Sequence, residues 1–215
     1  MNEMSALKEY AFLVTSRFES RGYDSIQTKD KGIVSYGLHQ ATLASGSLEK
    51  IIKRYLKTSK TQTAIELEKY LPQIENKSSI LRKDKNFKTL LQKAAKESSM
   101  KMAQISEFTE SYWKPVERKL QELNFHSRQA AAVFYDTKIQ GGFNKILDTT
   151  LTKFKGKKLS EHLFLKEFLK SRADYLNTIA KNKDSQTARL LQNSIITRIS
   201  TLNKIVDEEN KNLNR

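Results

Sequence analysis

Apolar residues recur at spacings of three and four along most of this chain, and this is the period of an α-helix. Seven glycines and two prolines occur among 215 residues, so few positions interrupt the pattern. The first run, from Met4 to Phe18, is followed by Glu19 and then by Gly22, a residue that often terminates helices. The pattern predicts a mainly helical protein whose first helix ends at Glu19.

The segment from Tyr23 to Gln40 interrupts the helical pattern. Its β-branched and aromatic residues, together with two glycines, favour a small β-hairpin or irregular sheet. Further helices are predicted over residues 48–56, 87–98, 100–113, 127–140 and 187–205, the third of them ending before Pro115. Because no linker divides the chain, we predict one domain over residues 1–215. Its hairpin lobe covers roughly residues 23–45, and a helical lobe forms the remainder.

The chain is strongly basic. Lys and Arg number 39 against 24 Asp and Glu, which gives a formal net charge of +15. Such a balance favours a polyanionic partner, and nucleic acid, an anionic membrane surface and the bacterial cell wall all fit this description. The absence of cysteine excludes a disulfide framework and thiolate chemistry.

Two carboxylates frame the non-helical segment. Glu19 ends the first predicted helix, and Asp30 follows eleven residues later, shortly before Gly32. Glycosidic cleavage needs one carboxyl group that is protonated near neutrality, and both burial and a helix C-terminus favour this by raising its pKa. The second carboxylate stays ionised in a wetter place, where it stabilises positive charge or activates water. The pair therefore points to a glycosidase.

The residues after Glu19 resemble the active-site strip of the lysozyme superfamily. The strip reads Asp30-Lys31-Gly32-Ile33-Val34-Ser35-Tyr36-Gly37-Leu38-His39-Gln40. It is most similar to that of the chitosanases and their phage relatives, glycoside hydrolase family 46, and the run from Ala132 to Gly142 resembles the central buried helix of that family. The resemblance covers about half of the chain. It implies a mainly α, lysozyme-like two-lobed α+β fold with a small β-hairpin next to the active-site cleft.

The resemblance also implies catalytic roles. Glu19 matches the general acid, and Asp30 matches the second carboxylate, which orients or activates water. Ser35 matches the hydroxyl that helps to hold this water. Asp24 is the alternative for the second carboxylate.

We expect substrate contacts next to these residues and on the predicted central helix. Tyr36, His39 and Gln40 belong to the strip, and His39 has a packing role as its alternative. Tyr135 and Asp136 lie in an otherwise apolar helix, where a substrate contact and a structural buried aspartate are equally good interpretations.

The first functional prediction is cleavage of β-1,4 bonds in cell-wall peptidoglycan, as by a muramidase or endolysin, because the negative charge of this polymer matches the positive chain. One alternative is a chitosanase that hydrolyses β-1,4 glucosamine linkages. Another, from a different class, is a basic helical protein that binds nucleic acid. A lytic transglycosylase would need Glu19 alone and would release anhydro products, and the sequence does not decide between it and a hydrolase.

We expect no cofactor and no metal, because no His or Cys residues stand at metal-ligand spacing. The N-terminal apolar stretch is too short for a signal-peptide core, and nothing in the chain is long and apolar enough to span a membrane. We therefore expect synthesis in the cytoplasm and action on the cell wall after release by a holin or a secretion system. We also expect a monomer that binds polysaccharide and requires no nucleic acid.

Overall fold

The secondary structure is mainly helical in the computed structural model, which describes residues 3–19, 22–155, 160–183 and 185–213. The helices are α1 Glu3–Glu19, α2 Ser47–Thr58, α3 Gln62–Glu68, α4 Leu71–Glu75, α5 Lys85–Ala94, α6 Ser98–Phe108, α7 Lys114–Leu123, α8 Arg128–Gln140, α9 Phe143–Lys153, α10 Glu161–Lys181 and α11 Ser185–Leu213. A 3-10 turn covers Ser79–Arg82 and a π-helical turn covers Thr109–Trp113. The predicted mainly helical fold is confirmed.

The predicted small hairpin or sheet is present as a three-stranded antiparallel sheet. Its strands are β1 Ile26–Gln27, β2 Ser35–Tyr36 and β3 Ala41–Thr42, in the order β1-β2-β3. Ser35 lies opposite Gln27 on one side and opposite Thr42 on the other, which places it in the central strand.

The chain divides into two compact units, residues 16–115 and residues 1–15 with 116–215. The first unit holds the sheet and helices α2 to α6, and the second holds α8 to α11. That the chain works as a single catalytic domain stays a prediction. In the described ranges, no helix is long and apolar enough to cross a membrane.

The second unit is built around α8. The helix begins after Ser127, whose hydroxyl accepts a hydrogen bond from the amide of Ala130 at 3.0 Å. All residues from 129 to 137 are buried, as expected for a helix that lies inside a core. The Phe134 ring lies 4.9 Å from the ring of Phe168 and 5.3 Å from that of Phe143, centroid to centroid. An aromatic cluster therefore joins α8, α9 and α10.

In the first unit α2 packs against α6 and α3, and α3 packs against α5. Helix α2 buries Leu48, Ile51, Ile52 and Tyr55, which recur at helical spacing on one face. The pairing of β2 with β3 continues by one residue beyond the strands, because the amide of Leu43 donates to the carbonyl of Val34 at 2.9 Å.

The sequence predicted that a helix ends before Pro115, but helical structure continues through this position. Helix α6 passes through the π-helical turn into α7, and Pro115 is the second residue of α7. Pro115 follows closely on the π-helical turn, where the regular hydrogen-bond pattern of the α-helix is already interrupted. The prediction of a helix end at this position was therefore wrong.

Replacement of Phe134 by Ala is expected to lower the free energy of unfolding by about 3–5 kcal/mol, because it opens a cavity among packed rings. Urea denaturation followed by circular dichroism measures the change. Leu163→Ala is the control, since the Leu163 side chain is 60% exposed, and its expected effect is within about 0.5 kcal/mol. Equal losses in both variants would contradict the central position of Phe134.

Candidate active site

Both oxygens of the Asp30 carboxylate are held by its own loop. The amide of Gly32 donates to Oδ1 at 2.8 Å, and the hydroxyl of Ser35 donates to Oδ2 at 2.7 Å. Ser35 is fully buried, whereas Asp30 is exposed. The sheet thus presents an oriented carboxylate to solvent, and it brings the predicted residues Asp30 and Ser35 together.

The loop between β1 and β2 is held in a strained conformation. Ile33 has φ of 68°, in the left-handed region that a β-branched residue rarely adopts. A Cβ atom on Gly32 would lie 2.6 Å from the Ser35 hydroxyl oxygen, so a larger residue there would displace Ser35. Strain of this kind costs on the order of 1–3 kcal/mol and persists where surrounding contacts fix the backbone.

Two residues that the sequence did not indicate hold this loop and the backbone on either side of its strands. The buried side chain of Gln104, on α6, accepts from the amide of Leu38 at 3.1 Å and donates to the carbonyl of Tyr23 at 3.0 Å. Arg82 donates from Nη2 to the carbonyl of Asp30 at 3.0 Å. The sequence signal for Gln104 was a polar residue on the apolar face of a predicted helix.

Glu19 is the last residue of α1, as the sequence predicted. Its side chain lies outside the described residues, so its role as general acid stays a prediction.

Asp24 is the alternative to Asp30. Its side chain is exposed, and no described residue hydrogen-bonds to its carboxylate. Because a group that acts on water must be oriented, the two hydrogen bonds to Asp30 favour Asp30 over Asp24.

Tyr36 is a core residue, which corrects the expectation that it binds substrate. Its side chain is fully buried, and its hydroxyl donates to the carbonyl of Leu91 at 2.7 Å. Burial raises the pKa of Tyr36 above the usual range. The ring offers no accessible surface to a sugar.

The other two residues of the strip differ in exposure. His39 is buried and meets the Phe108 ring edge-on, with ring centroids 4.8 Å apart, so its position fits the packing alternative. Gln40 is half-buried, has φ of 54° and donates to the carbonyl of Gly37 at 2.8 Å. Substrate binding by Gln40 stays a prediction.

Tyr135 and Asp136 lie in the second compact unit and are fully buried, which fits the structural interpretation of the two residues. The Tyr135 ring stacks on that of Phe12 at 4.6 Å. Asp136 accepts from Arg172 Nη2 at 2.7 Å and from Arg198 Nη2 at 2.6 Å. Asp136 therefore joins α8 to α10 and α11.

The charge of Asp136 is stabilised by these arginines. Burial opposes its ionisation, but the Arg172 and Arg198 guanidinium groups outweigh burial and hold the pKa of Asp136 below its ordinary value. The structural interpretation of Asp136 is therefore the better one. Its partners are arginine side chains on later helices.

Metal ligation has no support in the described ranges, where no three His, Asp or Glu side chains are grouped to hold an ion. The chemistry that the loop offers is that of an oriented carboxylate.

Comparison with known proteins identifies the family. The sequence profile described as glycosyl hydrolase family 46 matches residues 18–215. The chain belongs to glycosyl hydrolase family 46. As a member of this family it is a glycosidase, and its matched range includes Glu19, Asp30 and Ser35. No match was found among curated proteins.

Solved structures of chitosanases share the fold. Native chitosanase from Bacillus subtilis MY002 is 25% identical with a TM-score of 0.77, over 97% of this chain and 92% of that one. A glutamate-to-alanine mutant of that enzyme, complexed with six GlcN units, is 24% identical with the same TM-score and coverage. A family 46 chitosanase from Gynuella sunshinyii, in complex with chitotetraose, is 20% identical with a TM-score of 0.78, over 98% of this chain and 91% of that one.

Replacement of Asp136 by Asn is expected to cost about 3–5 kcal/mol at neutral pH, because it leaves two arginines without their buried carboxylate. Since the folded-state pKa is lowered, this stabilisation is complete above the ordinary aspartate pKa of about 3.9 and is lost as the pH falls through the folded-state pKa. Urea denaturation across this pH range measures both effects. Asp148→Asn, at an exposed position, is the control. A difference between wild type and Asp136→Asn that did not shrink in acid would contradict the assignment.

Replacement of Ser35 by Ala is expected to lower kcat by about 10- to 100-fold, because a hydrogen bond to a charged group is worth about 1.5–3 kcal/mol and here orients the carboxylate. Initial rates of polysaccharide cleavage measure it, with circular dichroism as a check of folding. Ser45→Ala is the control, because Ser45 bonds only within its own turn and to Ser47. An unchanged kcat in Ser35→Ala would contradict the role of Ser35 in orienting the Asp30 carboxylate.

Proposed function

We propose that this glycosidase is an endo-acting chitosanase that hydrolyses β-1,4 linkages between glucosamine units. The observation that carries the proposal is the family match over residues 18–215, which spans the Asp30 loop. The chitosanases with the same fold support it further. Of the two polysaccharides that the sequence left open, chitosan is therefore favoured over peptidoglycan.

In the proposed reaction, Glu19 donates a proton to the glycosidic oxygen as the bond to the anomeric carbon breaks. Its place at the C-terminus of α1 supports this role, because the partial negative charge there favours the protonated form.

Asp30 takes a proton from the water that attacks the anomeric carbon from the opposite face. Its exposure lets it reach water, and its bonds to Gly32 and Ser35 orient it. Ser35 acts here by holding the carboxylate, since its hydroxyl hydrogen is donated to Oδ2. With water between the two carboxyl groups, the configuration at the anomeric carbon is inverted.

A second candidate substrate is peptidoglycan, and one observation favours it. The net charge of +15 attracts an anionic polymer at long range and repels a cationic one. Both polymers therefore belong in the same experiment.

Glu19→Gln and Asp30→Asn are each expected to lower the rate of chitosan cleavage by about 10²- to 10⁴-fold, the usual contribution of a general acid or base. Mass spectrometry of the fragments released from chitosan and from peptidoglycan measures this. Glu9→Gln is the matched control, because Glu9 is an exposed glutamate on the same helix.

The products separate the alternatives. Hydrolysis of chitosan with an α-anomer seen first by proton NMR supports the proposed inversion. Cleavage of peptidoglycan alone contradicts the chitosanase proposal, and anhydro ends contradict a hydrolase. Full activity of Asp30→Asn together with a loss in Asp24→Asn would move the second role to Asp24.

A further inference from the structure

The turn between α4 and α5 exposes an isoleucine. Ile80 lies in the 3-10 turn Ser79–Arg82 and is 69% exposed, the largest exposed fraction among the large apolar side chains of the described ranges. Its neighbour Leu81 is fully buried and anchors the turn. The amide of Lys83 donates to the carbonyl of Ile80 at 3.0 Å, which closes the turn. The fold therefore holds this turn in place while the Ile80 side chain faces solvent.

Positive charge is concentrated on both sides of Ile80. Residues 77–88, which we call the basic turn, contain a single carboxylate and five cations, namely Lys77, Arg82, Lys83, Lys85 and Lys88. Three of the cations, Lys77, Lys83 and Lys85, are exposed. Lys77 and Lys83 are each three residues from Ile80, a span of at most about 11 Å between Cα atoms. Lys88 donates to the carbonyl of Arg82 at 3.4 Å, which ties the first turn of α5 to the 3-10 turn.

Neighbouring carboxylates do not neutralise the basic turn. In the described ranges, none of its five cations forms an ion pair. The Asp84 carboxylate caps α5 by accepting from the amide of Phe87 at 2.8 Å, and the Glu75 carboxylate pairs with Lys53 at 2.7 Å. Lys85 is the first residue of α5, where the partial positive charge of a helix end disfavours a cation. The exposed lysines and Ile80 therefore add nothing evident to the stability of the fold.

The combination of charge and exposed apolar surface indicates the chemistry of a partner. Cations gain from a partner with negative charge, but an isoleucine side chain gains only where it leaves water. A polyanion such as nucleic acid supplies its negative charge through phosphates, which offer no apolar interior. An anionic lipid bilayer supplies both, because its apolar region begins directly below the charged headgroups.

We propose that the basic turn docks this protein on anionic phospholipid membranes. Ile80 enters the boundary between headgroups and acyl chains, and Lys77, Lys83 and Lys85 meet the lipid phosphates. The binding is peripheral and involves no membrane-spanning segment. This surface is separate from the catalytic proposal, and its test does not depend on chitosan cleavage.

Co-sedimentation with vesicles tests the proposal. One set of vesicles contains phosphatidylglycerol and phosphatidylcholine, and the other contains phosphatidylcholine alone. We expect wild-type protein to bind the anionic vesicles and to be released by added salt, because screening weakens the attraction. Lys83→Gln/Lys85→Gln should weaken binding by about tenfold or more, since each lysine near an anionic surface contributes roughly fivefold. Ile80→Ser should weaken it by about tenfold through lost apolar burial.

Matched controls separate the basic turn from the overall charge of the chain. Ile65→Ser changes another exposed isoleucine, which is 48% exposed and is followed by the carboxylate of Glu66. Lys57→Gln/Lys60→Gln removes two positive charges at exposed positions beside the end of α2. Both controls should bind anionic vesicles nearly as well as the wild type, and circular dichroism checks that every variant is folded.

A fluorescent label tests insertion directly. The chain contains no cysteine, so Ile80→Cys and Ile65→Cys each provide a single position for an environment-sensitive fluorophore. With anionic vesicles, the emission should shift to the blue for the label at position 80 and stay unchanged for the label at position 65. The reason is that only the label at position 80 enters the apolar layer.

Three results would overturn the proposal. The first is a wild-type protein that does not bind anionic vesicles. The second is an equal loss of binding in the variants and their controls, or an equal emission shift at both labelled positions. The third is unchanged vesicle binding by Ile80→Ser together with binding of double-stranded DNA that depends on Lys83 and Lys85, which would make the basic turn a general site for polyanions.

Discussion

The Asp30 loop depends on one buried amide. The sheet has strands of two residues each, and sheets this small are marginal without outside support. Gln104 supplies that support because it bonds to the backbone of Tyr23 before β1 and of Leu38 after β2. Its two polar groups are buried, so each broken bond would leave an unsatisfied partner at a cost of about 1–3 kcal/mol. The backbone on both sides of the sheet strands that frame the Asp30 loop is thereby held by a helix far away in sequence.

Local sequence signals were sufficient for much of the fold. The end of α1 at Glu19 and the start of α8 after Ser127 follow from residues within one helical turn. The sequence analysis did not predict α9, because Gly141 and Gly142 indicate the end of a helix. Apolar residues at helical spacing nevertheless resume at Phe143. Helix α9 begins directly after Gly142, which has φ of 79° and packs against Tyr175. A glycine pair can therefore end one helix and begin the next.

The candidate site was predictable where its contacts are local. The bonds from Gly32 and Ser35 to Asp30 span two and five residues, and they lie within the recognised strip. Burial was not predictable in this way. The hydroxyl of the buried Tyr36 is satisfied by the carbonyl of Leu91, which lies far along the chain. The buried Asp136 is satisfied by two arginines that lie 36 and 62 residues later. A polar residue in an apolar pattern looks the same in sequence whether a substrate or a distant side chain satisfies it.

The contacts that hold the Asp30 carboxylate differ in kind from the exposed residues around it. The Asp30 carboxylate is held by Ser35 and Gly32, and the backbone before β1 and after β2 is held by the buried Gln104. Close-packed contacts of this kind tolerate little change. Lys29 and Lys31 are exposed, and their replacement breaks no described hydrogen bond. Relatives at 20–25% identity can therefore share the fold while their surface charge differs. In this chain the two neighbours of Asp30 are the exposed Lys29 and Lys31, so the contacts that hold the carboxylate do not depend on the charges beside it.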